Sequence, residues 1–167
     1  MSPGERALVK ALVIFPGGPA PMPKQEFLQR FGVTDGKALG RDLLRDAAAR
    51  RDPADVEYAM IVCFVFGFAD DLVQLLIELA FATWHEDHEN VAWALQGLRS
   101  PLSVDALKHL AELVPSYLEF DDARALRVKA IWALGEIGNA EARKALETLS
   151  KSDNAIIASN AVGQLAT

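Results

Sequence analysis

The sequence predicts an all-α protein built as an α-solenoid: antiparallel helix pairs stacked in a right-handed array behind a divergent N-terminal helical cap. Three observations predict it. Trp93-Ala94-Leu95 recurs thirty-nine residues later as Trp132-Ala133-Leu134, and Ala106-Leu107-x-x-Leu110 recurs as Ala145-Leu146-x-x-Leu149. Two helices in fixed order thus form a repeated unit, and because such a unit cannot bury its apolar face alone, copies stack. Fainter echoes put the basic period near thirty: Ala133-Leu134-Gly135-x-Ile137 returns as Ala161-Val162-Gly163-x-Leu165, and Leu75-Leu76-x-x-Leu79 sits thirty-one residues before Ala106-Leu107-x-x-Leu110. The longer spacing follows if the stretch 115–123, Pro115-Ser116-Tyr117-Leu118-Glu119-Phe120-Asp121-Asp122-Ala123, is an insertion between helices, where repeat proteins often carry binding residues. Finally, no segment alternates long enough to read as a strand.

Taken in order, Leu8, Ala11, Leu12 and Phe15 share one face of a helix from Glu5 to Phe15, and Pro16-Gly17-Gly18-Pro19-Ala20-Pro21-Met22-Pro23 stops it as an extended loop. A short helix through Gln25, Phe27 and Leu28 ends near Gly32. Thr34-Asp35-Gly36 then offers a cap to the helix holding Leu39, Leu43, Leu44 and Ala47. Asp52-Pro53 is an N-cap with proline at the first helical position, starting a helix to about Phe66. Gly67 to Asp71 turns into a partner helix holding Leu72, Leu75, Leu76 and Leu79. Thr83 and Glu86 fit a capping box opening a helix to about Leu98. Ser100-Pro101 or Ser103 opens the next, through Leu113. Asp121 or Asp122 is the expected cap of the helix to Ile137, Asn139 caps the one through Leu149, and Ser152 or Asp153 starts the last. The expected organisation is one domain over 1–167, with a cap over 1–51, a divergent repeat over 52–82 and clear repeats over 83–167.

An apolar fraction of 51% excludes a disordered polymer. The net charge of −6 disfavours nucleic acid, which needs a basic footprint, and favours a basic protein partner. The longest charge-free apolar run, Tyr58 to Ala69, is far below the ~18 residues of a membrane span, so no membrane is expected. The start, Met1-Ser2-Pro3-Gly4-Glu5-Arg6, has no signal-like basic and apolar regions, and a cytoplasmic location is expected. The single cysteine, Cys63, lies among apolar neighbours and reads as inert packing.

The run Arg127-Val128-Lys129-Ala130-Ile131-Trp132-Ala133-Leu134-Gly135-Glu136-Ile137-Gly138-Asn139-Ala140-Glu141-Ala142, followed by Ala145-Leu146-x-x-Leu149, resembles the short bacterial HEAT-like repeat, the type also found in phycobilisome lyase subunits. The resemblance is strong from Thr83 to Leu165, weak over 52–82 and absent before Asp52. It implies an α-solenoid that binds another protein; small bacterial relatives of this type include immunity proteins that neutralise a cognate toxin.

Three groups of residues are candidates for the binding surface. His85-Glu86-Asp87-His88-Glu89, next to Trp84, sets two imidazoles on one helix face with carboxylates beside them, a pattern suited to a metal. It also resembles the His-Glu dipeptides of deoxyhypusine hydroxylase, a HEAT-repeat di-iron enzyme. The equivalent stretch, 125–129, has none, and the chain holds only three histidines. The plainer reading is a polar helix start with acids at the positive dipole end, and no metal is expected. The second group is Trp93 and Trp132, which fall off the core stripe of their helices; they form an aromatic ridge or pack between neighbouring helices. The third is the loop Tyr117, Leu118, Glu119, Phe120, Asp121, Asp122, in which aromatic anchors beside acids suit a basic surface. The other reading folds its aromatics inward while the acids cap the next helix.

No phosphate loop, dinucleotide fingerprint, paired-cysteine site or nucleophile elbow is present, so neither a cofactor nor catalysis is expected. The residues assigned to partner binding are Trp84, His85, Glu86, Glu89, Trp93, Tyr117, Glu119, Phe120, Asp121, Asp122 and Trp132. The expected function is a non-enzymatic immunity protein that blocks a basic toxin. The alternatives are a regulatory or assembly scaffold, including a phycobilin-lyase-like chaperone, and a metal-dependent hydroxylase.

Overall fold

The structure, a computed structural model, describes residues 1–167 and is helical throughout, with ten α-helices, three short 3-10 turns and no strand. No helix is long and apolar enough to cross a membrane. The chain divides into two compact units, Met1–Leu72 and Val73–Thr167. The division falls inside the stretch 52–82 that spacing grouped as one divergent repeat.

The first unit holds α1 (Pro3–Lys10), α2 (Lys24–Phe31), α3 (Gly36–Arg50) and α4 (Pro53–Phe66). Helix α1 starts two residues earlier than the expected Glu5, behind a capping box of Ser2 and Glu5, and ends at Lys10 instead of Phe15, where the chain turns to send the Met22 N–H to the Ala11 carbonyl. Asp35 and Asp52 accept hydrogen bonds from Ala38 N–H and Asp55 N–H, the N-caps the sequence predicts. Val9, Leu12, Phe27 and Val62 form the core, which Phe31 and Phe66 extend by ring contacts with Phe27. Helices α3 and α4 approach so closely that a Cβ at Gly40 would lie 2.9 Å from Cys63 Sγ. Burial in this seam pushes the Cys63 thiol up to about 12, which suits packing and not reactivity.

Beside that core lies Asp55, only 1% exposed. Its carboxylate meets Arg6 Nη2 at 2.8 Å, Arg50 Nη2 at 2.6 Å and the N-terminal ammonium. Burial works against its charge, but hydrogen bonds from the ammonium, Arg50 and Arg6 outweigh burial and hold its pKa at about 2.

The second unit holds α5 (Val73–Phe81), α6 (His88–Leu98), α7 (Val104–Glu112), α8 (Arg124–Ile137), α9 (Ala140–Leu149) and α10 (Ala155–Leu165). Helix α8 packs against both α6 and α10, giving one row; α7 packs against both α5 and α9, giving a second. The core between the rows is made by the matching apolar positions of the repeated segment: Leu95 and Leu134 from one row, Leu107, Leu110, Leu146 and Leu149 from the other, all buried. Asn139 caps α9, its side chain accepting from Ala142 N–H at 2.7 Å. Helix α10 is capped by Asn154, one residue beyond the expected Asp153, because Asn154 Oδ1 reaches two free N–H groups, of Ile156 and Ile157.

Two other starts differ from expectation. Helix α6 begins at His88, with no capping box at Thr83 and Glu86. The chain over 83–87 folds back on the end of α5 instead. Helix α8 is not capped by Asp121 or Asp122. The insertion forms a 3-10 turn, Ser116–Asp121, and the chain enters α8 through two left-handed residues, Asp122 (φ 57°) and Ala123 (φ 50°). Asp122 is thereby turned away from the helix end and directs its carboxylate to Arg127 Nη1 at 3.0 Å and Asn154 Nδ2 at 2.8 Å.

Candidate functional site

Each helix of the α6, α8, α10 row buries one stripe and leaves another exposed, and equivalent positions on neighbouring helices fall side by side. On α6 the outer stripe runs Glu89, Trp93, Gln96, Gly97; on α8 it runs Lys129, Trp132, Gly135, Glu136; on α10 it centres on Asn160. Trp93 and Trp132 stay 53% and 48% exposed. Both lie off the core stripe, as their spacing predicts.

Neighbours hold the two rings in place. Lys129 Nζ sits 5.1 Å from the Trp93 ring centroid and pairs with Glu89, which fixes the α8 lysine across the α6 indole. Trp132 Nε1–H donates to Asn160 Oδ1 at 3.2 Å, joining α8 to α10 at the matching position of the repeat. Further along, Glu136 accepts from Gln96 and pairs with Arg99 at 2.8 Å. Gly135 leaves room for Gln164, whose Oε1 would lie 1.9 Å from a Cβ there. The result is an aromatic surface with its polar edges already paired and its orientation fixed before any partner arrives, a condition that favours binding by lowering its entropic cost.

The insertion divides its residues. Glu119, Phe120 and Asp121 are exposed, Phe120 at 82%. Tyr117 turns inward, and Asp122 is occupied by Arg127 and Asn154, so of the expected loop only the 119–121 tip faces outward freely.

His85 and His88 require a correction. Both are buried rather than presented at an open helix start, although His88 is the first residue of α6. His85 Nε2–H donates to the Leu79 carbonyl at 2.7 Å while its Nδ1 accepts from Asp87 N–H at 3.0 Å. His88 Nε2–H donates to the Ala82 carbonyl at 2.7 Å, and its Nδ1 accepts from the Tyr117 hydroxyl at 2.9 Å; the same hydroxyl accepts from His88 N–H at 3.2 Å. Carbonyls only accept, so both rings are held as the Nε2–H tautomer, and no ring nitrogen is left for a metal. No three His, Cys, Asp or Glu side chains converge as a metal site. The rings stack at 4.3 Å and donate to carbonyls at the end of α5, that of Ala82 and that of Leu79, which also accepts from Ala82 N–H at 3.2 Å. Burial, which the Leu79 bond only partly offsets, lowers the pKa of His85, and burial with the neighbouring His85 and His109 lowers that of His88 to about 4 despite its bond to Ala82. Both are neutral at pH 7. Trp84 is half-buried edge-on to His85 at 5.2 Å, whereas Glu86 is exposed.

Two residues not singled out by the sequence complete this region. Phe81, 49% exposed at the end of α5, stacks on His109 of α7 at 4.6 Å. The thirty-one-residue offset that makes α5 and α7 equivalent was the available signal, since it places their ends side by side.

No protein-family model, no curated protein and no solved structure matches the chain.

Proposed function

We propose that the chain is a non-enzymatic protein-binding α-solenoid of HEAT-like repeats, acting as an immunity protein that neutralises a basic toxin by stoichiometric binding through the outer surface of α6 and α8. The observation that carries this reading is the pair Trp93 and Trp132, half exposed at equivalent positions of adjacent helices and held by Lys129 and Asn160. Large, rigid, amphipathic rings are the side chains most often found as binding anchors. The two helix rows of the second unit support the repeat architecture. The net charge of −6 and the exposed Glu119 and Asp121 support a basic partner, whose approach such charges accelerate. The hydroxylase alternative loses its candidate ligands, because both nitrogens of His85 and of His88 are engaged.

A photo-reactive benzoylphenylalanine placed at position 93 or 132, with position 143 of α9 as control, tests this in the cells that express the protein. Adducts with one basic protein from 93 and 132 but not from 143 are expected, together with growth arrest when that protein is produced alone and rescue when both are produced. No adduct, or equal adducts at 143, contradicts the surface; adducts without toxicity favour the scaffold reading.

A further inference from the structure

A cavity of about 260 Å³ opens beside the histidine pair, lined by Phe81, His85, Glu86, His88, His109 and Tyr117 among others. All three histidines of the chain reach it. Its walls are aromatic: Phe81 stacked on His109 at 4.6 Å forms one, and Tyr117 beside His88 at 6.0 Å forms another. No lysine or arginine lines it, and its one charged lining group is the exposed Glu86 carboxylate.

The hydrogen bonds of the region narrow what can enter. Tyr117 uses its hydroxyl as donor and acceptor toward His88, and the four nitrogens of His85 and His88 are taken. The hydrogen-bonding groups left in the lining are the hydroxyls of Thr83 and Ser116 and the His109 ring, beside the aromatic faces and one carboxylate. Aromatic faces carry negative potential and attract cations, and they do so most strongly in a site shielded from water. An anion would meet Glu86 with no counter-charge.

We propose that this cavity binds a compact organic cation bearing an alkylated ammonium group, with Phe81, His109 and Tyr117 against its methyl groups and Glu86 as its counter-ion. The charge state of the walls agrees with this. Burial raises the Tyr117 hydroxyl to about 12 against the opposing bond from His88, and the nearby Asp87, Glu86 and Glu89 carboxylates add smaller contributions in the same direction. The volume lies just below the usual range of ligand pockets, roughly 300–1,000 Å³, which limits the ligand to a small head group. The inference stands apart from the binding role of Trp93 and Trp132, neither of which lines the cavity.

The test is a titration of the intact protein with choline, followed by the ring resonances of Phe81, His109 and Tyr117, with potassium chloride at matched ionic strength as blank. In parallel arms the uncharged isostere of choline, with carbon in place of the quaternary nitrogen, and an acetylated trimethyl-lysine amide are titrated. Saturable shifts confined to those rings are expected with choline or with the trimethyl-lysine derivative. Preference for the former indicates a free metabolite and for the latter a protein-borne side chain, and either supports the site. The uncharged isostere should bind about ten-fold more weakly. Glu86→Gln and Phe81→Ala, both at exposed positions, should each weaken binding about three- to ten-fold with an unchanged helical signal. Absence of saturation with both cations, equal affinity for the isostere, shifts matched by potassium chloride, or unaltered binding in both variants would overturn the proposal.

Discussion

Asp55 in the first unit and the His85–His88 pair in the second are almost wholly buried, yet Asp55 keeps its charge and the histidines give theirs up. The difference lies in the neighbours. Asp55 is ringed by two guanidinium groups and an ammonium, and these counter-charges make ionisation the cheaper state despite desolvation. The histidines face backbone carbonyls, a hydroxyl and each other; the carbonyl bonds offset burial only in part, no carboxylate pairs with either ring, and the neutral tautomer wins. Burial alone therefore does not set charge state; the partners that accompany it do.

This contrast can be broken most severely at its charged end. Asp55→Ala should destabilise by about 3–5 kcal/mol, since it leaves three positive groups without their shared counter-ion. Urea denaturation followed by far-ultraviolet circular dichroism measures it; a cost below about 1 kcal/mol would mean that the cluster is too hydrated to count. In the second unit the comparable change is to the core: Leu134→Ala or Leu146→Ala should cost about 2–5 kcal/mol through lost burial and a cavity. Trp84, Trp93 and Trp132 all lie in this unit, so tryptophan fluorescence excited selectively over Tyr58 reports its unfolding without contribution from the first.

The pH dependence separates the two regions. His88 titrates near 6.5 when unfolded and at about 4 when folded, so between these values the unfolded chain takes up the proton first and stability falls as pH falls. The loss amounts to roughly 3 kcal/mol and is complete below about pH 4. Asp55 loses its contribution only lower, from about the ordinary carboxylate value of 3.8 down to about 2. Fluorescence-detected stability should thus decline from pH 6.5 to 4, and His88→Gln should flatten that decline while lowering stability at pH 7. A decline confined to below pH 4 would show that His88 is not held neutral.

The smallest effects come from two matched helix ends. Helix α3 closes on Arg51 and α6 on Arg99, both left-handed at φ 51° and 49°, a conformation that costs L-residues about 1–2 kcal/mol and glycine little. Arg51→Gly should stabilise by about 1 kcal/mol. Arg99→Gly should gain less, because it gives up the surface pair with Glu136. A thermal melt that ranks them the other way would assign more to that pair than exposed pairs usually contribute.

What could be read from the sequence was what is local or periodic. The caps at Asp35, Asp52 and Asn139 depend on one side chain and an N–H three residues on, so composition reveals them. The outward register of Trp93 and Trp132 follows from the repeat. The burial of the histidines is not legible in the sequence, because their partners are backbone carbonyls six residues back and a tyrosine twenty-nine residues ahead, neither marked by any residue type. Asp122 looked like a cap by identity alone, but the left-handed backbone at Asp122 and Ala123 turns it toward Arg127 and Asn154. Nothing local marks Asp55, because one of its partners lies fifty-four residues away.

The central claim is that the tryptophans serve recognition more than folding, and the double variant Trp93→Ala with Trp132→Ala tests it directly. Both rings are about half exposed; Trp93 lies against Lys129, and Trp132 donates one hydrogen bond to Asn160. Measured against the partner trapped by cross-linking, the variant should bind at least about 100-fold more weakly. Its unfolding free energy should fall by less than about 2 kcal/mol. Unchanged affinity, accompanied by a loss of more than about 3 kcal/mol in stability, would contradict the account and make the ridge part of the fold's own packing.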